Sequence, residues 1–411
     1  MKAIILAAGN GVRLRPITET RPKPLIPVLC KPLIGWHLEL LNALNIDEAV
    51  IVVNYMKDKI IEYVNGLPKK YKVKYVVQDP PMGTGDAVIK ALEHLPHGED
   101  VLIIYSDIFL EDPGIYKEII DSRESVILGA MVDSPEHYGV LELEGGRLKS
   151  IIEKPAHPPS NIANAGVYKL NTRDIDENKN IEASIRGELE FTDIVNKIAE
   201  KKDVSVFVLP RNAWMDIGRP WHIIEVNKLA LKNLKKEVKG IIEEPVRVVG
   251  DVYVGERSII HSFSSLEGPV YIDSNVEIGP NARIRPYSVV CGGSKIGFNV
   301  EVKESVIFEN VRASHLAYVG DSVVCENVNL GAGTITANLR FDEKTVKMRV
   351  RDVVEDTKRL KLGAIIGGYV KTGVNVSLMP GVKIGSYSWI LPGTVVYEDV
   401  PSKTVYPARR E

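Results

Sequence analysis

The residues best suited to chemistry fall into two groups. The first follows the opening apolar run, as Ala8-Gly9-Asn10-Gly11-Val12-Arg13 and then Arg21-Pro22-Lys23-Pro24. Glycines in such a loop let main-chain N–H groups approach a phosphate, and Arg13 and Lys23 add two cationic donors. The third glycine of a dinucleotide fingerprint is replaced by Leu14, and the Gly-Lys-Ser/Thr of a P-loop is absent. The loop therefore reads as a phosphate site of another kind or as a plain turn with solvated cations. The second group centres on His315, which stands where a six-residue repeat breaks: the step from Phe308 to Leu316 is eight residues. A side chain displaced from a regular wall can reach a groove, so His315 is either a base working there or a satisfied histidine in a bulge.

The elements that must hold these residues differ between the two halves of the chain. Up to about Trp221, buried strands are expected near 3–7, 49–54, 73–78 and 101–105, alternating with helices near 37–44, 57–64 and 85–95. That alternation predicts an α/β domain with a Rossmann-like, mixed but mostly parallel sheet, whose ligands bind beyond the carboxyl ends of its strands. A helical connector is expected near 221–238. Past Pro245, Val254, Ile260, Leu266, Ile272, Ile278, Ile284, Val290, Ile296, Val302 and Phe308 recur at intervals of six. A second series runs through Ile366, Leu378, Ile384, Ile390 and Val396, with Thr372 the exception. A large aliphatic residue every six positions predicts a parallel β-helix, each short strand pointing one side chain inward. The expected domains are 1–225, a linker at 226–244, and 245–411.

Composition limits what the chain can be. It has 411 residues, 26% of them charged, and a net charge of −2, so nothing points to nucleic acid or a membrane as partner. No apolar stretch reaches the ~20 residues needed to cross a bilayer. The opening apolar run is short and leads into the glycine loop, which argues for a first strand rather than a signal peptide. Cys30, Cys291 and Cys325 lie far apart without CxxC spacing. They predict neither a disulfide nor a zinc site, and fit a reducing cytoplasm.

Further segments complete the pattern of the first half: Gln78 with Gly83-Thr84-Gly85-Asp86-Ala87, Ser106-Asp107, Tyr138-Gly139, Glu153-Lys154-Pro155, Asn164-Ala165-Gly166 and Trp214-Met215-Asp216-Ile217-Gly218. In this order, with the glycine loop, they resemble the sugar-1-phosphate nucleotidylyltransferases over essentially the whole half. The resemblance implies that a sugar phosphate attacks the α-phosphorus of UTP or dTTP and expels pyrophosphate. Arg13 and Lys23 would grip the triphosphate, with Ala8, Gly9, Gly11, Gln78 and Gly83 around the nucleotide. Gly139, Glu153, Lys154 and Asn164 would line the sugar pocket. Because the reacting groups repel one another, positioning and charge neutralisation carry such a reaction. Asp107 and Asp216 are the candidate ligands of Mg²⁺.

In the second half, His315-Leu316-Ala317-Tyr318-Val319-Gly320-Asp321 and Asn329-Leu330-Gly331-Ala332-Gly333-Thr334-Ile335-Thr336-Ala337-Asn338 resemble the acetyltransferase domain of the bifunctional glucosamine-1-phosphate acetyltransferase/N-acetylglucosamine-1-phosphate uridylyltransferases. That implies a left-handed β-helix. It makes His315 the general base, puts Tyr318, Asn329 and Asn338 on the substrate, and assigns Arg285, Lys303 and Lys344 as its cations. Ala332 would lie at acetyl-CoA. An amine attacks a thioester only as the free base, so a neutral imidazole suits the role. The insertion near 340–361 is expected to fold over a neighbouring subunit of a homotrimer or dimer of trimers. Leu14-Arg15-Pro16 and Asp216-Ile217-Gly218 look more like glucose-1-phosphate uridylyl- or thymidylyltransferases, so the whole resembles the archaeal-type bifunctional enzymes. The preferred sugar (glucose, N-acetylglucosamine or N-acetylgalactosamine) and glucosamine against galactosamine 1-phosphate stay open. Two rival readings are a monofunctional nucleotidyltransferase with a structural β-helix and a non-catalytic assembly subunit.

Overall fold

A computed structural model describes residues 1–184 and 186–406. The chain forms two compact units. The first comprises residues 1–10, 22–26 and 32–216, and the second 11–21, 27–31 and 217–411.

The first unit is built on a nine-stranded mixed sheet. From edge to edge its strands are Lys72–Val77, Glu48–Val53, Lys2–Ala7, Asp100–Tyr105, Ile162–Asn171, Ser125–Met131, Val204–Leu209, Arg147–Glu153 and Gly139–Glu144. The first four are mutually parallel, whereas Ile162–Asn171 runs against both of its neighbours. The central strands are apolar on both faces (Ile4 and Ile5 are each fully buried), so they require helices on both sides. Helices Leu33–Ala43 and Lys57–Gly66 supply one layer's core residues, and Thr84–Leu92 and Phe191–Ala199 the other's. The parallel strands place Ala7-Ala8 and Ser106-Asp107 at one end of the sheet, and Ser106 N–H still donates to the Leu6 carbonyl there.

The second unit is a left-handed parallel β-helix with three faces, each a stack of eight or nine two- to four-residue strands. Residues eighteen apart are paired: Val254 with Ile272, Ile260 with Ile278, Leu266 with Ile284. The inward aliphatics form one continuous column from Val252 to Val400. Thr372, the polar exception in the repeat, is satisfied internally. Its hydroxyl accepts the Gly331 N–H and lies 2.8 Å from that of Thr334.

The irregularity around His315 differs from the sequence expectation. Val290 pairs with Ile307, Ile296 with Ala313 and Val302 with Val319, a spacing of seventeen. Ile307 therefore takes the inward place expected of Phe308, while Leu316, with φ 53°, is 54% exposed. The register is set by a coil one residue short, not by an insertion. An aliphatic pair such as Ile307-Phe308 gives periodicity no means of telling which member points in.

Two further expectations are revised, and the insertion acquires a defined form. Coil strands begin at Glu237–Val238 and Ile241–Ile242, inside the expected linker, and helix His222–Leu231 groups with the second unit. The segment near 340–361 is an antiparallel hairpin, Lys347–Val350 with Val353–Asp356. Cys30 and Cys291, expected to stand apart, form a disulfide. Residues 27–31 belong to the second unit, so a sequence separation of 261 is bridged within one compact body.

Candidate active sites

At the carboxyl end of the first unit's parallel strands, Asp107 follows strand Asp100–Tyr105. Strand Trp214–Asp216 pairs antiparallel with Ile108–Leu110, and the register sets Asp216 opposite Ile108. The two carboxylates expected to hold a metal are thus brought onto neighbouring strand ends. Lys23 donates to Asp107 Oδ2, so this lysine and the aspartate meet directly. Two adjacent carboxylates are the hard oxygen donors that Mg²⁺ takes, with phosphate oxygens and water completing its shell. Among the described residues, no group of three or more His, Cys, Asp or Glu is arranged to hold a metal ion. That donor set fits a cation held jointly by protein and substrate better than one caged by protein alone.

The loop expected at the nucleotide is shaped by its glycines. Gly9 is exposed with open space around it, and Gly11 (φ 60°) lies just before the turn Val12–Leu14 that carries Arg13. Thr18 donates to the Gly11 carbonyl at 2.8 Å. Ala8 is buried at 6% exposure. Gln78 is also buried, and its side-chain amide donates to the Gly83 carbonyl at 2.7 Å and to Asp86 at 2.9 Å. In this arrangement its N–H groups orient the Gly83 turn, leaving the amide oxygen for a ligand. Gly83 has φ 112°, and a Cβ there would lie 2.5 Å from the Leu189 carbonyl oxygen, so only glycine fits.

The sugar-pocket candidates converge through the sheet. Gly139 pairs with Glu153, and Ala163, next to Asn164, pairs with Val140. A Cβ on Gly139 would come within 2.9 Å of Glu153 Oε1. Thr192 donates to that oxygen at 3.1 Å, and Arg186 lies 3.4 Å from the other. A register shift between Asn164 and Tyr168 breaks the ladder. There Asn164 accepts the Gly166 N–H and donates to the Tyr168 hydroxyl. Lys154 follows with φ 47°, and its N–H donates to the Tyr138 carbonyl.

In the second unit, four candidates stack on successive coils of one face. Arg285 donates to Glu301 at 2.8 Å, and this hydrogen bond holds its guanidinium pKa above the usual value despite burial. Glu301 pairs with Tyr318, Lys303 with Gly320, and Tyr318 with Ile335. Lys303 spans both Asp321 oxygens at 3.0 and 2.8 Å, and Asn338 donates to Asp321 and, at 3.1 Å, to the Tyr318 hydroxyl. Burial is the main cause of a raised Tyr318 pKa. Asp321, fully buried, is the group that gathers Lys303 and Asn338, and sequence reasoning did not single it out. Its signal was its place in the Tyr318-Val319-Gly320-Asp321 run, where a charged residue occupies a coil corner.

His315 ends strand Arg312–His315 on the adjacent face and is exposed. Its main chain pairs with Phe298, while its side chain makes no hydrogen bond or ion pair among the described residues. Ala332 lies on the same corner one coil further on, since Arg312 pairs with Asn329 and Tyr318 with Ile335. Asn329 and Lys344 are exposed, and neither side chain joins the Asp321 cluster. The unit therefore places two carboxylate-paired cations on one face, beside a corner that bears His315.

Comparison with known proteins agrees with both units. The nucleotidyl transferase family matches residues 2–233, and a GMPPB C-terminal domain matches 266–358. A bifunctional sugar-1-phosphate nucleotidylyltransferase/acetyltransferase from Sulfurisphaera tokodaii is 47% identical, covering 97% of this chain and 98% of that protein. The bifunctional protein GlmU of Methanocaldococcus jannaschii is 40% identical, covering 100% of this chain and 98% of its own. A Bacillus anthracis crystal structure described as a glucose-1-phosphate thymidylyltransferase with sucrose superposes with a TM-score of 0.50 at 28% identity, covering 58% of this chain and 97% of that one. The chain belongs to the nucleotidyl transferase family and, within it, to the bifunctional sugar-1-phosphate nucleotidylyltransferase/acetyltransferases.

Proposed function

We propose that this bifunctional enzyme makes a UDP-N-acetylhexosamine in two steps. The second unit transfers an acetyl group from acetyl-CoA to the amine of glucosamine or galactosamine 1-phosphate. The first transfers UMP from UTP to the resulting sugar 1-phosphate and releases pyrophosphate. The observation carrying this reading is the coexistence of two complete residue sets, Lys23–Asp107–Asp216 in one unit and His315 beside Arg285–Lys303–Tyr318–Asn338 in the other. The monofunctional reading leaves the second set without a purpose, and the non-catalytic reading leaves both.

In nucleotidyl transfer, Asp107 and Asp216 would hold Mg²⁺, which when bound neutralises phosphate charge and helps orient the α-phosphate. Arg13 and Lys23 take up charge developing on the pyrophosphate. Ala8, Gly9, Gly11, Gln78 and Gly83 hold the nucleotide, and Gly139, Glu153, Lys154 and Asn164 hold the sugar. The phosphate oxygen of the sugar attacks the α-phosphorus as the bond to pyrophosphate breaks. In acetyl transfer, Arg285, Lys303 and Lys344 bind the sugar phosphate, with Tyr318, Asn329 and Asn338 around the sugar. His315 removes a proton from the amine as its nitrogen bonds to the thioester carbon, and coenzyme A leaves from beside Ala332.

A homotrimer or dimer of trimers in the cytoplasm is part of the proposal. Its support is the apolar surface on the solenoid and its hairpin region. Phe263, Trp389 and Tyr397 are 69%, 55% and 59% exposed, and Phe341 is wholly exposed. No helix among the described residues is long and apolar enough to cross a membrane.

The test offers UTP or dTTP, Mg²⁺ and acetyl-CoA with glucose, glucosamine, galactosamine, N-acetylglucosamine or N-acetylgalactosamine 1-phosphate. Thiol release is expected only with the amino sugars, and pyrophosphate release above all with UTP and an N-acetylated sugar. Pyrophosphate release without any thiol release would instead support the monofunctional alternative.

A further inference from the structure

His37 sits on helix Leu33–Ala43 in the first unit, below the turn that carries Asp107, and is 4% exposed. Its ring is hydrogen-bonded to the main chain at Ser106 and Ile108. The other ring nitrogen, Nε2, is buried without a hydrogen-bond partner. That side of the helix lines an apolar cavity of about 300 Å³ shared with Trp36, Leu40, Phe109 and Tyr116. With Nε2 buried and unpartnered, the ring's main-chain hydrogen bonds at Ser106 and Ile108 fall to Nδ1, which donates.

The placement of those two carbonyls matters. The Ser106 carbonyl belongs to the peptide entering Asp107, and the Ile108 carbonyl to the second peptide after it. Fixing both restricts rotation of the backbone around Asp107, and hence the direction of its carboxylate. Ile108 is also the residue whose pairing sets Asp216 in register. A histidine serving only as core filler would be inferior to leucine at this place, because it buries a nitrogen whose hydrogen bond is unsatisfied.

We propose that His37 is a positioning residue for nucleotidyl transfer, its single Nδ1–H fixing the Ser106–Asp107–Ile108 turn and with it the separation of Asp107 and Asp216. This rests on the reading of those two carboxylates as the divalent-cation site. His37 touches no reacting atom and acts through the turn alone.

The amide of asparagine places its N–H near the position of Nδ1, that of glutamine near Nε2, and leucine has neither. In the full-length protein, His37→Leu and His37→Gln are expected to weaken Mn²⁺ binding in the presence of UTP, followed by electron paramagnetic resonance, by about tenfold, the loss of roughly one buried hydrogen bond. They should also raise the Mg²⁺ concentration for half-maximal nucleotidyl transfer by the same factor. His37→Asn should keep both near wild type, and acetyl transfer should be unchanged in all three. Equal cation binding in Asn, Gln and Leu variants, or losses that simply follow melting temperature, would overturn the proposal. Asp107→Ala, measured alongside, separates the two levels. If it binds Mn²⁺ as tightly as wild type, the carboxylate reading fails; if it does not while His37→Leu does, only the role of His37 fails. Should His37→Leu not fold, the contrast between Asn and Gln decides.

Discussion

Asp107 and His315 stand in opposite electrostatic situations, and each suits its proposed role. Asp107 is held by the Lys23 ammonium, so a cation bound there would compete with or displace the lysine toward phosphate. Replacing Asp107 or Asp216 by alanine removes one carboxylate from the shared site. Nucleotidyl transfer is expected to fall by at least about 10³-fold, several kcal/mol of transition-state stabilisation, with acetyl transfer kept. Near-normal uridylyl transfer at saturating Mg²⁺ would remove that residue from the site. Among the described residues the His315 side chain has no partner to orient it, which suits a base engaging its proton only when substrate is bound. His315→Ala should lower acetyl transfer by about 10²–10⁴-fold at an unchanged melting temperature, whereas a structural histidine would lose both together. The candidate residues were nameable from the sequence because the proposed chemistry admits few substitutes for their types. Their partners were not. Thr192 on Glu153 acts across a fold of the chain that no local pattern encodes, while Asp86 and Asp321 stand inside recognisable runs that do not disclose their pairing with Gln78 and Lys303.

Elements show the same division. Strands expected at 3–7, 49–54, 73–78 and 101–105 fall at Lys2–Ala7, Glu48–Val53, Lys72–Val77 and Asp100–Tyr105; three are buried apolar runs, as central parallel strands need, whereas Lys72–Val77, expected buried, is an edge strand with only Val76 buried. The solenoid was legible from its period, but the short coils were not. The steps from Val302 to Ile307 and from Val319 to Val324 are five residues where six is the rule. Hydrogen-bond pairing between coils, not hydrophobicity, settles which of two adjacent aliphatics points inward. Ile307→Ala should therefore cost about 2–4 kcal/mol in thermal or denaturant unfolding. Ala313→Leu, which overfills the column, should cost about 1–3 kcal/mol. A loss below roughly 0.5 kcal/mol for Ile307→Ala would return the inward position to Phe308.

At the scale of the molecule, the second unit is assembled from three pieces of chain. Residues 11–21 bring Arg21, which is buried against Phe308 and paired with Glu309 and Glu326, and residues 27–31 bring Cys30 to Cys291. Contact order of this kind is invisible to composition, which is why the cysteines were expected to be independent. Protein purified without reductant and then denatured should titrate one free thiol per chain, that of Cys325. Three free thiols would remove the disulfide. The two-reaction reading makes a stronger demand, that the steps be separable and linked only by a diffusible sugar phosphate. Full-length Asp107→Ala and His315→Ala, each given glucosamine 1-phosphate, acetyl-CoA, UTP and Mg²⁺, should separately form almost no UDP-N-acetylglucosamine. Mixed as preformed, folded proteins, they should form it after a lag while N-acetylglucosamine 1-phosphate accumulates. Loss of acetyl transfer in Asp107→Ala, or a mixture as inert as its components, would contradict the assignment of one reaction to each unit.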